Sequence, residues 1–82
     1  ALLTQTSFSS ADLRYSNMDR TIATLADFKW AIMIYVDLRR GDVRSSDFRC
    51  ARLDRADFRE TRLSGASFAG AILSSSTGIL QP

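Results

Sequence analysis

A large apolar residue recurs at every fifth position over most of this chain, and that period decides what the chain is able to fold into. Phe48, Leu53, Phe58, Leu63, Phe68 and Leu73 stand five apart, and a small residue precedes each by two places: Ser46, Ala51, Ala56, Thr61, Ala66 and Ala71. The phase runs backward without a slip through Val43, Leu38, Met33, Phe28, Ala23, Met18, Leu13, Phe8 and Leu3, and only Ala23 among these is small. Neither regular secondary structure accounts for the spacing, because a helix needs steps of three and four and a strand needs strict alternation. Inside each pentad the pattern does alternate: small inward, polar outward, large inward, polar outward. The fifth residue breaks it. The chain resumes the same phase only if it turns a corner there, which gives a square coil of four short strands. Successive coils then stack about 4.8 Å apart, as paired strands do, with about twenty residues per turn.

The twenty-residue turn is tested by positions that the five-residue period leaves free. Phe8, Phe28, Phe48 and Phe68 are spaced by twenty and are the same residue. The next wall reads Leu13, Met33, Leu53, Leu73 over Ala11, Ala31, Ala51, Ala71. The third gives Met18, Leu38, Phe58, and the fourth Leu3, Ala23, Val43, Leu63. This predicts an all-β solenoid of about four coils over residues 1–75. An irregular tail is expected at 76–82, since Gly78 falls in the next central slot and Ser74-Ser75-Ser76-Thr77 reads as loop.

The pattern resembles the pentapeptide repeat family, whose motif is A-(D/N)-L-x-x with Leu or Phe at the centre. Ala11-Asp12-Leu13-Arg14-Tyr15, Ala26-Asp27-Phe28-Lys29-Trp30 and Ala56-Asp57-Phe58-Arg59-Glu60 match it closely, and the resemblance covers residues 1–75. It implies a right-handed quadrilateral parallel β-helix with two inward residues per pentad. It also implies a range of roles that includes inhibition and protection of DNA gyrase, so a topoisomerase-interacting DNA mimic is the alternative function to weigh.

Composition narrows the chemistry. The chain has no His and one Cys, Cys50. Zinc sites, His-based acid–base catalysis and Cys–His nucleophiles are excluded by inventory, and an internal disulfide needs a second thiol. Cys50 falls at a corner with no His to activate it, so an idle surface thiol is expected. Carboxylates are plentiful but sit beside basic residues on a convex surface: Asp12/Arg14, Asp27/Lys29, Asp37/Arg39, Asp42/Arg44, Asp47/Arg49 and Asp57/Arg59, with Arg52/Asp54 reversed. Two apart on a strand, both members point outward and can pair. Exposed pairs contribute only about 0–1 kcal/mol, so they read as a solvated, mutually neutralising surface. A filled β-helix offers no pocket in which to shift a carboxyl pKa. The expectation is a non-enzyme with no cofactor and no small-molecule substrate.

The same pairing bears on nucleic acids. Net charge is +2 overall, and each wall sums to zero or +1, which is unlike the dense negative line of duplex DNA. Nor are the basic residues gathered into a stripe that would bind DNA. The longest apolar run, Trp30 to Val36, is too short to span a bilayer, and no leader is visible, so a soluble, cytoplasmic protein is expected. Its first residue is Ala, already in phase, as in a chain processed or cut from something longer.

Two places break the repeat. In Thr21-Ile22-Ala23-Thr24-Leu25 the centre is Ala and the outward slots carry Ile22 and Leu25. A void there costs a few kcal/mol, which favours a local rearrangement that tucks Ile22 or Leu25 inward. In Trp30-Ala31-Ile32-Met33-Ile34-Tyr35-Val36 the register sends Ala31 and Met33 inward and leaves Ile32 and Ile34 outside, between Trp30 and Tyr35 at the corners, with Tyr15 one coil below Tyr35. Tyr15, Trp30, Ile32, Ile34 and Tyr35 are therefore the candidate interface, for a protein partner or for self-association. The coil ends, which no amphipathic helix covers, are expected to need a further segment, a domain or a second copy.

Overall fold

The computed structural model describes residues 2–78. They form a right-handed quadrilateral parallel β-helix: the four-sided coil follows from the five-residue period, and the right-handed form is the one the family resemblance implies. Coil 1 is taken as 2–20, coil 2 as 21–40, coil 3 as 41–60 and coil 4 as 61–78. Each wall is a parallel ladder of residues twenty apart: Leu2, Ile22, Asp42, Arg62 on face 1; Ser7, Asp27, Asp47, Ser67 on face 2; Asp12, Ile32, Arg52, Ile72 on face 3; Asn17, Asp37, Asp57, Thr77 on face 4.

Where its second residue is Asp or Asn, a pentad uses all five of its backbone donors. In Ala26–Trp30, Phe28 N–H donates to Asp47 O in the coil above at 2.7 Å, and Trp30 N–H to Arg49 O at 3.1 Å. Asp27 N–H donates downward to Thr6 O at 3.0 Å. The first residue of the next pentad closes the corner, Ala31 N–H to Phe28 O at 3.1 Å. One donor remains, the N–H of the fourth residue, and the side chain of the second accepts it: Lys29 N–H to Asp27 Oδ1 at 2.9 Å. Asp12, Asp37, Asp42, Asp47 and Asp57 do the same for Arg14, Arg39, Arg44, Arg49 and Arg59. Asn17 does it for Asp19 without a charge. These aspartates are thus turn-forming acceptors as well as ion-pair partners, a backbone role that the reading as a solvated charge pattern missed.

Each corner places the fifth residue at positive φ, between 57° and 63° for the non-glycine residues from Gln5 to Ser75. A corner closed by a 1→4 hydrogen bond with positive φ at its third residue is a type II turn. Among the described residues only two corners use glycine, Gly65 and Gly70; Leu25, Trp30 and Tyr35 hold this conformation with bulky side chains. Each such residue costs about 1–2 kcal/mol in the left-handed region. The cost is offset because the corner N–H is itself a rung of the ladder, as in Tyr15 N–H to Ile34 O at 2.9 Å.

The interior is continuous. Phe8, Phe28, Phe48 and Phe68 stack with centroids 5.1, 4.7 and 5.0 Å apart and nearly parallel rings. Phe58 crosses from face 4 and meets Phe48 and Phe68 edge-on at 6.3 and 5.9 Å. Offset stacks and edge contacts are the preferred aromatic geometries and add to the burial of the rings. Phe28, Met33, Leu38, Val43, Phe48, Leu53 and Phe58 are fully buried, whereas Leu3, Phe8, Leu13, Leu63, Phe68 and Leu73 are half-buried. Coils 2 and 3 are the core; coils 1 and 4 are its lids.

Two expectations are corrected. Around Ala23 neither Ile22 nor Leu25 turns inward; both are exposed, and Ile22 keeps its bridges to Leu2 and Asp42. The rearrangement lies in the backbone instead. The corner bond from the first N–H of the following pentad is made elsewhere, but Ala26 N–H does not reach Ala23 O; the Ser46 hydroxyl stands between them. It accepts from Ala26 N–H at 3.2 Å and donates to Ala23 O at 2.6 Å. The open corner is spliced by a hydroxyl from the coil above, which leaves neither backbone group unsatisfied.

The second correction concerns the tail expected at 76–82. The ladder runs on to Thr77, which pairs with Asp57, and Ser75 is a regular corner. Gly78 then lies so close to the coil below that a Cβ would sit 2.5 Å from Arg59 N and 2.6 Å from Phe58 C. With φ +83° as well, the position admits only glycine. Backbone, and no side chain, occupies the central slot above Phe58. Residues 79–82 lie outside the described residues.

Candidate protein-interaction face

Face 3 carries the residues singled out by sequence. Its inward side is ordinary: Ala31, Met33, Ala51 and Leu53 are fully buried, and Ile32 bridges both Asp12 and Arg52. Its outward side in coil 2 is apolar. Trp30 is 64% exposed, Tyr35 44%, Ile32 37% and Tyr15 72%, while Ile34 is half-buried. The Tyr15 ring lies under the Tyr35 ring with centroids 5.2 Å apart and planes within 8°. Arg55, in the same corner of coil 3, places its guanidinium 5.6 Å over Tyr35. The corner is a stack of Tyr15, Tyr35 and Arg55, held by ring overlap and a cation–π contact. Trp30 stands at the other edge, in the corner that also holds Ser10, Cys50 and Gly70.

Charges border this apolar coil above and below. In coil 1 Arg14 grips Asp12 with two hydrogen bonds, at 2.9 and 2.8 Å. In coil 3 the order is reversed, and Arg52 reaches Asp54 with two longer bonds of 3.2 Å. Neither Ile32 nor Arg52 is able to accept the fourth N–H of its pentad, so the middle of face 3 lacks the backbone bond that Asp supplies elsewhere. Ile72 in coil 4 extends the apolar column beyond Arg52 and is exposed.

Sequence reasoning missed a second apolar cluster. Leu2, Ile22 and Leu25 are exposed on face 1, the opposite wall, because Ile22 and Leu25 stay outside. An open groove beside them is lined by Thr24, Leu25, Arg44, Ser45 and Ser64. The signal was present in the register, which puts both residues in outward slots; the presumed void at Ala23 overrode it. This cluster contains no aromatic ring.

The arginine-paired aspartates of the other walls are held ionised. Hydrogen bonds from the paired guanidinium keep Asp37, Asp42, Asp47 and Asp57 below the usual carboxylate range; partial burial opposes this and the N–H of the fourth residue reinforces it. Arg40 reaches across coils to Asp19 at 2.6 Å and lowers that carboxyl too. No helix among the described residues is long and apolar enough to cross a membrane.

Comparison with protein families finds eight copies of the pentapeptide repeat, over residues 1–29 and 37–74. Comparison with curated proteins gives no significant match. Among solved structures, a pentapeptide repeat protein from the Arabidopsis thaliana thylakoid lumen superposes with a TM-score of 0.92 at 24% identity, over 96% of this chain and 55% of that one. HetL, a pentapeptide repeat protein involved in heterocyst differentiation regulation in the cyanobacterium Nostoc, gives 0.48 at 21% identity, over 98% of this chain and 43% of that one. Trypsin-treated QnrB1, a plasmid-mediated fluoroquinolone resistance protein, gives 0.41 at 17% identity, over 92% and 63%. The chain spans about half the length of the first two, and likeness to the first, at its identity, establishes the fold alone. The first match comes from an organelle lumen, so the fold does not select the cytoplasmic setting expected from sequence. The family match breaks over residues 30–36, the outward-apolar stretch of face 3.

Proposed function

This chain belongs to the pentapeptide repeat family, and on that premise we propose that it is a non-enzymatic interaction module whose face 3 docks against another protein surface. One observation carries the reading. Over residues 30–36 the chain departs from the family pattern, yet the coil beneath keeps its bridges, its corner conformations and its fully buried Ala31, Met33 and Val36. The departure is confined to the outside. A fold that needs polar outward slots for solubility places Trp30, Ile32 and Tyr35 there against that need. Clustered aromatic and aliphatic side chains on a rigid wall are what binding hot spots are made of. The non-enzymatic part rests on the carboxylates: each guanidinium-paired Asp is held ionised on a convex wall and is poorly suited to general-acid work.

Ile32→Thr together with Ile34→Thr tests the reading, since Thr keeps strand propensity and removes apolar surface. Loss of partner binding or self-association with an unchanged circular dichroism spectrum is expected. Unchanged sedimentation, partner binding and solubility in the double variant sink the proposal.

The DNA-mimic alternative draws no support from the surface. Its acidic side chains are paired with guanidinium groups wall by wall, and no face presents the dense negative line of a duplex. Sub-micromolar inhibition of gyrase supercoiling by this chain alone would overturn that charge argument.

A further inference from the structure

The ion pair of coil 3 runs in the reverse order to the others. Elsewhere Asp precedes Arg or Lys, accepts the fourth backbone N–H and holds the cation. Placing Arg52 first forfeits that acceptor and leaves a looser pair, 3.2 Å against 2.8 Å for Arg14 and Asp12. The reversal falls one coil above Ile32, and a pair in the usual order lies one coil below. The apolar coil is thus flanked symmetrically in position and antisymmetrically in charge.

We infer that face 3 docks on face 3 of a second copy of this chain, about a two-fold axis lying along the Ile32–Ile34 strand. The inference rests on the reading of face 3 as an interaction surface and specifies its occupant. Rotation about that axis preserves the direction of the strands and inverts the order of the coils, so coil 1 of one copy faces coil 3 of the other. Asp12 then opposes the partner's Arg52, and Arg14 opposes the partner's Asp54. Ile32 meets the partner's Ile32, and Ile34 the partner's Ile34. At the corner, Tyr15 meets the partner's Arg55, whose counterpart already lies over Tyr35 in its own chain. Such a self-complementary patch is what an isologous two-fold contact demands.

Alternative registers fail on the same charges. With the usual Asp-first order in coil 3, Asp would oppose Asp and Arg would oppose Arg, a juxtaposition that costs affinity. Moving the axis half a coil either way sets Ile32 against the partner's Arg52 or Asp12. A two-fold axis parallel to the coil stack matches opposite charges for either order of residues 52 and 54, and so gives the reversal no role. With molecular extents of 27 × 25 × 24 Å, a wall offers at most about 680 Å² of flat area, below the roughly 800 Å² per partner of stable complexes. The association is therefore reversible and concentration-dependent, and its ionic rim makes it salt-sensitive.

Sedimentation equilibrium of the 82-residue chain from about 10 μM to about 1 mM at low salt, a range chosen for an interface of this size, tests the arrangement. The wild type is expected to dimerise within that range. Arg52→Asp with Asp54→Arg restores the usual order inside the chain, preserves the fold by circular dichroism and weakens the dimer at least about tenfold. Adding Asp12→Arg with Arg14→Asp recovers it. A wild type that stays monomeric throughout overturns the two-fold arrangement, while partner binding lost in Ile32→Thr/Ile34→Thr would still uphold the interaction reading. A dimer weakened by the isoleucine variant but not by the swap overturns this register alone. A dimer indifferent to both variants overturns the inference and shows that self-association uses another surface.

Discussion

Faces 2 and 3 are adjoining walls of the same coils, built from the same pentad, and they differ mainly in what they turn outward. Both send a small first residue and a large third residue into the core. Face 2 buries its phenylalanine stack and face 3 buries Leu13, Met33, Leu53 and Leu73 to matching depths, fully in the middle and half at the ends. Outside, face 2 carries Asp27 with Lys29 and Asp47 with Arg49, and each aspartate also closes a backbone turn. Face 3 carries Ile32 with Ile34 and the reversed Arg52 with Asp54, and forgoes both turn bonds. The inward slots specify the fold, and the outward second slot is worth one backbone hydrogen bond when it holds Asp or Asn.

The sharpest way to break this comparison is to cut the interior of one wall and the exterior of the other. Phe48→Ala removes the ring that stacks on two neighbours and receives the edge of Phe58, and is expected to cost about 3–5 kcal/mol in urea unfolding. Ile32→Thr with Ile34→Thr, outside the neighbouring wall, is expected to stay within about 1 kcal/mol. Similar costs for the two would remove the distinction between inward and outward slots. Ser46→Ala comes next. Its hydroxyl splices the open corner under face 2, whereas the same slot on face 3 holds Ala51 and leaves a closed corner, so about 1–3 kcal/mol is expected. A neutral Ser46→Ala would mean that Ala26 and Ala23 close on each other without help.

The aspartates give a smaller contrast. Asp47→Ala loses a turn acceptor and is expected to cost about 1 kcal/mol, while Asp47→Asn, which keeps an acceptor as Asn17 does, retains most of that. Asp54→Ala, whose side chain accepts no N–H from another residue's backbone, should cost less than about 0.5 kcal/mol. Equal losses at both sites would show that the ion pair matters and the turn bond does not. The least of the expected effects is the pH dependence. Asp42, Asp47 and Asp57 titrate below their ordinary 3.8 in the folded chain. The stability they contribute is fully present above that value and is lost as pH falls through their lowered folded values. With no His in the chain, the urea midpoint should be level from pH 6 to pH 8 and fall only below about pH 4. Asp47→Asn should flatten part of that fall.

How much of this was legible in the sequence follows from where each residue reports. Inward residues repeat at a fixed distance, so Phe8 to Phe68 announced the coil, its four sides and its core. The stacking of Tyr15 on Tyr35 followed from the same twenty-residue offset. What was illegible involves bonds between a side chain and a backbone group, which leave little periodic trace. The Asp–Arg pairs looked like surface charge because their salt bridges are plain in sequence and their turn bonds are not. Asn17, an uncharged residue in the same slot, was the clue that the slot wants an acceptor. Nothing about Ser46 distinguishes it from the small residues in its column, and only the missing corner bond at Ala23 reveals its task. Gly78 read as a failed centre because the repeat asks for a side chain there, and the chain answers with backbone.

The hydrogen-bond ladder also fixes the steps by which such a chain tolerates gaining or losing length. Every rung joins residues about one coil apart, so inserting one residue moves every later inward side chain to the outside. An insertion of five keeps inside and outside but turns everything after it by a quarter revolution, so that one placed between Ile32 and Arg52 carries Arg52 off the wall that holds Ile32. An insertion of twenty restores both. Whole-coil duplication outside residues 12–55 therefore lengthens the protein without disturbing face 3, and its lineage has a natural unit of growth four times longer than its natural unit of sequence.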